Sequence, residues 1–162
     1  MKAAARNALD LLASDWQASS PFLSPLLPPR TQRVWSALLA VAGNPDRLTA
    51  MQSYMRRHSL LRAWGEFQES HPLIAAPVFT DVPFAAGKGM TTAEVAEIVE
   101  GLRMTFAVNA LGLPAVALPV GVADGLPQAV QVIGPRYRED LCLDAAAAIE
   151  ERLGVITPID PR

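Results

Sequence analysis

This 162-residue chain has few cysteines and lysines and a net charge close to zero. The single cysteine and the low net charge each exclude a class of structure or function. A single cysteine, Cys142, cannot form an internal disulfide and offers no cluster of metal-binding thiolates. The net charge of -2 provides no broad attraction to phosphate, so we do not expect nucleic-acid binding. The composition therefore predicts no cofactor and no metal, and it suits the reducing environment of the cytoplasm.

Long apolar runs are also missing. The apolar run over residues 34–42 is far too short to cross a bilayer. Near the start, Asn7 and Asp10 interrupt the apolar positions before a secretory core becomes long enough. We therefore expect no membrane partner and no export. Hydrophobic residues nevertheless make up 51% of the chain and charged residues 19%, which is typical of a globular fold.

The first 44 residues are expected to form two helices separated by a proline-rich connection. Residues 1–18 carry apolar side chains at helical spacing, which predicts one buried stripe. Residues 19–30 contain four prolines, which fix φ and bias the preceding residues away from the helix, so an extended connection is expected. Residues 31–42 are predicted to form the second helix.

A long helix is predicted from the sequence Asn44-Pro45-Asp46 to about Ser70. Asn44 supplies a capping side chain, Pro45 suits the first turn, and Asp46 brings a carboxylate to the positive end of the helix dipole. The apolar positions keep near-helical spacing, so this helix should lie over a sheet. These positions are Leu48, Met51, Met55, Leu61, Trp64 and Phe67.

A short strand over residues 73–76 follows, and then a second long helix that opens at Thr91. Thr91 and Glu94 have the spacing of a capping box. Asn109 shares the apolar face of this helix and is expected to be buried. A buried amide is unfavourable unless it is paired, so Asn109 either ties the helix end to the next strand or contacts substrate.

The segment from Asn109 to Gly134 contains two apolar runs bracketed by Gly-Leu-Pro. Gly112 and Pro114 predict the end of the preceding helix. The run over residues 115–120 is typical of a strand buried on both faces. Pro119 lacks a backbone donor, so it should lie at a sheet edge or a bulge.

The second run, over residues 129–133, is predicted to pair with the first as an antiparallel hairpin. Asp124-Gly125 provides turn chemistry between them, and the connection is too short for a crossover. Gln131 is expected to connect neighbouring elements by hydrogen bonds. This is the same structural role that is one of the two alternatives for Asn109. Gly134-Pro135 ends the strand.

This stretch resembles the C-terminal part of the amidase signature family, which shows an Asn, then Gly-x-Pro-Ala, then Gly-Leu-Pro-x-Gly-Val-Gln leading into a glycine. Ala129 is a departure, because the family usually has glycine there. The resemblance covers about residues 45–153 and implies an α/β fold in which helices pack on a small mixed sheet. The motif positions that we assign to it are Asn109, Gly112, Pro114, Gly125, Pro127, Gln131 and Gly134.

The resemblance implies hydrolysis of carboxamide C–N bonds by a serine nucleophile, a second serine in a cis peptide, and a buried lysine. All three lie in the larger N-terminal part of such enzymes. Serine is a weak nucleophile until a base takes its proton, and backbone N–H groups must hold the oxyanion. We assign no catalytic residue in this chain, after considering Ser19, Ser20, Lys2, Lys88, His58, His71, Asp81 and Cys142.

Each of these candidates has a structural interpretation that we prefer. The pair Ser19-Ser20 lacks flanking glycines and is expected to end the first helix. Lys88 should be hydrated in a glycine-containing loop, where its pKa stays too high for a base. His58 is expected to be partly buried and hydrogen-bonded. Cys142 is expected to be a small core residue.

Two functions remain open from the sequence. The first is a C-terminal fragment or subunit of an amidase-like hydrolase, inactive alone, whose partner is a complementary amidase-like chain. The second is a non-enzymatic interaction module or oligomerising scaffold derived from an amidase. Cut strands expose unpaired edges, so self-association or a partner is expected. Residues 1–44 should form a divergent segment and residues 45–162 an amidase-like region, together one compact unit.

Overall fold

The computed structural model describes residues 2–84, 87, 91–154 and 156. Contacts divide the chain into two compact units, Met1–Arg62 with Phe79–Leu111, and Ala63–Val78 with Gly112–Arg162. The boundary after residue 44 that we expect from the sequence stays a prediction. In chain order, the described elements are α1 (Lys2–Leu23), α2 (Pro29–Ala42), α3 (Arg47–Ser70), β1 (Ile74–Pro77), α4 (Thr92–Gly101), α5 (Arg103–Leu111), β2 (Ala115–Ala123), β3 (Leu126–Ile133) and α6 (Glu139–Leu153).

Helix α1 is longer than predicted, because it continues through Pro21 to Leu23. A proline inside a helix leaves the carbonyl four residues earlier without its backbone donor. Here that carbonyl belongs to Gln17, and the hydroxyl of Ser20 donates to it at 3.4 Å. The expected extended connection is therefore wrong. A 3₁₀ turn, Ser24–Leu26, follows instead, and α2 begins with Pro29 at its first position, where its missing N–H has no cost.

The buried residues of α1 include five consecutive positions, residues 7–11, which lie on every side of the helix, so the expectation of a single buried stripe is also wrong. Asp10 is 4% exposed, and its carboxylate lies 3.1 Å from the guanidinium of Arg6 and 3.5 Å from the hydroxyl of Ser53. Arg6 also donates to the carbonyl of Ala42 at the end of α2. These polar contacts connect α1 to both α2 and α3. The core of the first unit consists of Leu9, Ala13 and Ala42, with Leu38, Leu39, Val99 and Phe106 packed against it.

Helix α3 begins one residue after Asp46, whose carboxylate accepts a hydrogen bond from the backbone N–H of Thr49 at 2.8 Å. The cap is therefore Asp46 and not Asn44. Among the apolar positions expected to lie over a sheet, Leu48, Met51 and Met55 are 62%, 58% and 73% exposed. That expectation is wrong, and the first part of α3 presents an uncovered apolar face.

The helix predicted from Thr91 onward is divided into α4 and α5 at Leu102. Its start is confirmed, since Thr91 and Glu94 form both hydrogen bonds of the capping box. Gly101 lies against the ring of Phe79, where a Cβ atom would collide with the aromatic carbons. Glycine at this position thus permits close packing.

The second unit contains a three-stranded sheet of order β1-β3-β2, in which both pairings are antiparallel. The hairpin of β2 and β3 is confirmed. Its turn residues Asp124 and Gly125 have φ values of 51° and 75°, as a type I′ turn requires. The expected place of Pro119, at a sheet edge or a bulge, is confirmed as well, because β2 is an edge strand and the register shifts between Pro119 and Gly121.

Helix α6 packs on β2 and β3. Strand β2 was expected to be buried on both faces, but Leu118 is its only buried residue among those described. Strand β3 lies between β1 and β2, and its residues Val132 and Ile133 are 3% and 0% exposed. The α/β class is confirmed, with antiparallel pairing in place of the mixed sheet. Within the described residues, no helix is long and apolar enough to cross a membrane.

Candidate functional site

The glycines and prolines of the family motif shape the backbone of the second unit. Gly112 has a φ of 63° directly after α5, which confirms the predicted helix stop. The carbonyl of Pro114 accepts a hydrogen bond from the backbone N–H of Gly134 at 3.0 Å and lies 3.7 Å from the thiol of Cys142. Gly134 is close enough to Cys142 that a Cβ atom would lie 2.6 Å from the sulfur.

Gln131 is the polar motif residue with a clear structural role. Its side chain is buried, and its amide donates to the carbonyl of Pro77 at 2.9 Å, which joins β3 to the end of β1. Pro127 pairs with Val122 next to the turn at Gly125. Gln131 and Pro127 therefore each contact a neighbouring strand and help to hold the sheet in register.

Asn109 is exposed, so the expectation of a buried amide is wrong. Its side chain donates to the carbonyl of Thr105, one turn earlier in α5, at 2.9 Å. The buried residues of α5 are Ala107, Val108 and Leu111, and Asn109 lies outside this set. Asn109 therefore does not tie the helix to the next strand.

The serine pair and the lysines do not form a nucleophile with a base. Ser19 donates to the carbonyl of Asp15 at 2.8 Å, and Ser20 donates to that of Gln17, so both hydroxyls serve α1. The pair lies inside the helix, and the prediction that it ends the helix is wrong. Lys2 is exposed at the start of α1. Lys88 lies outside the described residues.

The other candidate side chains, of two histidines, an aspartate and a cysteine, each have their own structural surroundings. His58 is exposed, so its predicted partial burial is wrong, and His71 stacks on Phe67 with ring centroids 4.5 Å apart. Asp81 accepts a hydrogen bond from the backbone N–H of Val82. Cys142 is 2% exposed, as predicted, and burial raises the pKa of its thiol. Among the residues that the structure describes, no three His, Cys, Asp or Glu side chains group as metal ligands.

A cleft of about 470 Å³ lies among α1, α3 and α5 in the first unit. Each helix contributes residues three or four positions apart, which lie on one helical face. Its apolar wall is formed by Ala8, Leu11, Leu12, Phe106 and Ala110.

The polar edge of this cleft consists of Asp15, Tyr54, Arg57 and Asn109. The hydroxyl of Tyr54 donates to the carboxylate of Asp15 at 3.0 Å, and this hydrogen bond raises the pKa of Tyr54. The Nε atom of Arg57 donates to the carbonyl of Ala110 in the last turn of α5. The structure thus holds a carboxylate and a guanidinium in place on one edge.

Asp15, Tyr54 and Arg57 are not among the site residues that the sequence suggests. The available signal was weak: on α1, Asp15 follows Ala8, Leu11 and Leu12 on one face, at spacings of seven, four and three residues. That spacing shows that the four side chains share a face, but it does not show which helix packs opposite. The cleft depends on the packing of three helices and becomes visible only in the structure.

A family model described as Amidase matches residues 13–143. Indoleacetamide hydrolase of Bradyrhizobium diazoefficiens is 41% identical over 126 residues, which cover 75% of this chain and 24% of that protein. Indoleacetamide hydrolase of Bradyrhizobium japonicum is 40% identical over 126 residues, covering 76% of this chain and 27% of that protein.

A solved structure of allophanate hydrolase from Kluyveromyces lactis shares the fold, with a TM-score of 0.73 at 20% identity over 94% of this chain and 25% of that chain. The present chain spans about a quarter of the length of these relatives. The family match begins at residue 13, whereas the sequence motifs suggested a start near residue 45. By the extent of this match, the chain belongs to the amidase family.

Proposed function

We propose that this chain is the C-terminal scaffold portion of an amidase-like hydrolase of carboxamide C–N bonds, inactive until it joins a complementary amidase-like chain or segment. The observation that carries the proposal is the role of the family motif. Gly112, Pro114, Gln131 and Gly134 bond or pack against their own sheet and helices. None of them supplies a nucleophile or a base.

The chain's own serines and lysines support the proposed inactivity. Activation of a serine needs a base within hydrogen-bond reach, yet the hydroxyls of Ser19 and Ser20 donate to carbonyls of α1. The sequence contains only two lysines, Lys2 and Lys88. Lys2 is exposed at the start of α1.

The uncovered face of α3 supports a partner. Leu48, Met51 and Met55 lie three and four residues apart, so their exposed side chains form one stripe. Soluble proteins seldom leave such contiguous apolar stripes open to water. We propose that the complementary amidase-like part covers this stripe, and that the assembly works in the cytoplasm, for which the single cysteine is suited.

A chimera tests this function. The segment of Bradyrhizobium diazoefficiens indoleacetamide hydrolase that matches this chain is replaced by the chain itself, and ammonia release from indoleacetamide is measured. We expect the chimera to hydrolyse the amide, with the unchanged relative as the positive control. A Ser20→Ala change in the grafted part should leave the rate within about twofold, because a change without a transition-state contact costs little.

The alternative, a non-enzymatic interaction module, predicts a different outcome from the same chimera. It would fold, as judged by circular dichroism and a single elution volume, and yet release no ammonia. In that case the scaffold no longer supports an amidase site, and the exposed stripe on α3 serves another partner or a second copy of the chain.

A further inference from the structure

The cleft among α1, α3 and α5 has two charged groups of opposite sign on one edge and apolar side chains along its wall. We propose that this cleft binds a free α-amino acid with a hydrophobic side chain, with its carboxylate at Arg57 and its ammonium group at Asp15. This site is separate from the amide hydrolysis proposed above and does not depend on it.

Arg57 is positioned to receive a carboxylate. Its Nε atom donates to the carbonyl of Ala110, which orients the planar guanidinium at the edge of the cleft. The two terminal amino groups of a guanidinium held in this way can bind a carboxylate in a bidentate manner. Arg57 is partly buried, so its interaction with an anion is screened less than that of a fully exposed arginine.

Asp15 is positioned to receive an ammonium group. Asp15 lines the cleft, and the hydroxyl of Tyr54 donates to its Oδ1 atom at 3.0 Å; a carboxylate has a second oxygen that can accept a hydrogen bond from an ammonium group. Tyr54 and Arg57 lie one turn apart on α3, and Tyr54 reaches Asp15, so the two charges belong to the same edge.

This charge pattern selects a zwitterion. A simple anion would be attracted by Arg57 and repelled by Asp15, and a simple cation would meet the reverse arrangement. An amino acid satisfies both groups at once. Its side chain would lie against Leu11, Leu12 and Phe106, and the volume of about 470 Å³ falls within the range of about 300–1,000 Å³ that is usual for small-molecule sites.

The test is calorimetric titration of the whole chain with three related ligands. L-Phenylalanine carries both charges, 3-phenylpropanoate lacks the ammonium group, and 2-phenylethylamine lacks the carboxylate. We expect saturable binding of phenylalanine with a Kd on the order of 1 mM or below, and at least tenfold weaker binding of the other two. Equal affinity for the three ligands, or no saturable binding of phenylalanine, would overturn the proposal.

Variants locate the site. Arg57→Gln and Asp15→Asn should each weaken phenylalanine binding at least tenfold, whereas Arg56→Gln, a change at an exposed neighbour on the same helix, should leave it unchanged. Equal losses for the Arg56 and Arg57 variants would contradict the assignment. If either cleft variant fails to fold, the comparison of the three ligands on the unchanged chain still decides the question.

Discussion

Gly134, directly after β3, packs so closely that a single added methyl group should destabilise the chain. A Cβ atom there would lie 2.6 Å from the sulfur of Cys142, 3.4 Å from the carbonyl oxygen of Arg138 and 3.7 Å from a methyl carbon of Leu73. Non-bonded carbon atoms prefer separations of about 3.5–4.0 Å, and sulfur is larger than carbon. The sulfur would have to move by about 1 Å within a closely packed site.

We therefore expect Gly134→Ala to lower the free energy of unfolding by about 2 kcal/mol, within the usual range for overpacking. For a chain of this length, that loss lowers the Tm by roughly 4–8 °C. Gly65→Ala is the matched control. It adds the same methyl group in the exposed part of α3, where no heavy atom lies within 4 Å, and should stabilise the chain by about 0.5–1 kcal/mol.

The cause of the effect is tested by a double-mutant cycle with Cys142→Ala, which removes the obstructing sulfur. The single Cys142→Ala change should cost about 1 kcal/mol, because it removes a buried thiol. The double variant should be more stable than the sum of the single changes predicts, by at least about 1 kcal/mol. Urea denaturation followed by circular dichroism measures all four proteins. Additivity within about 0.5 kcal/mol would refute the packing argument.

Three further predictions concern a turn, a cap and a titrating side chain. Gly125→Ala should destabilise the hairpin by about 1–2 kcal/mol, because φ is 75° there, and an unchanged urea midpoint would contradict this. Thr91→Ala should cost about 1 kcal/mol and Thr91→Ser much less, since serine retains the capping oxygen; equal losses would count against the cap. The hydrogen bond to Asp15 raises the pKa of Tyr54. The stability that this bond adds to the fold is therefore present below the unfolded pKa of about 10 and is lost as the pH rises through the higher folded pKa. The stability of Tyr54→Phe should fall less steeply in that range, and identical pH profiles would exclude the effect.

Local chemistry explains the elements that the sequence predicted well. The turn at Asp124-Gly125, the capping box at Thr91 and the helix stop at Gly112 each depend on residues close together in the chain. Backbone conformation and short-range hydrogen bonds decide these features. These three features can therefore be located from the sequence without the tertiary fold.

Features that depend on how a helix end or a helix face is resolved were predicted less well. The prolines of residues 19–30 predict an extended connection, but α1 continues through Pro21, and the hydroxyl of Ser20 replaces the missing donor at Gln17. Asn109 was expected to be buried because it continues an apolar pattern. In the structure the buried residues of α5 are Ala107, Val108 and Leu111, and the amide of Asn109 is exposed. In both cases the local sequence pattern alone did not decide where the helix ends or which side chains are buried.

Among the candidate site residues, one role was predicted from the sequence and one cluster was not. Gln131 was correctly assigned a tying role, which its bond to Pro77 provides across the sheet. The cleft edge of Asp15, Tyr54 and Arg57 was missed, because these residues become neighbours only when helices α1 and α3 pack. A pattern within one helix identifies a face, and the partner of that face follows from the fold.

The most direct test of the central claim is ammonia release from indoleacetamide by the purified chain alone, measured beside the chimera described above. We predict no release above that of buffer alone or of the Ser20→Ala variant, because the hydroxyls of Ser19 and Ser20 donate to carbonyls of α1. Turnover by the unchanged chain that Ser20→Ala abolishes would contradict this claim and show that the chain carries its own nucleophile.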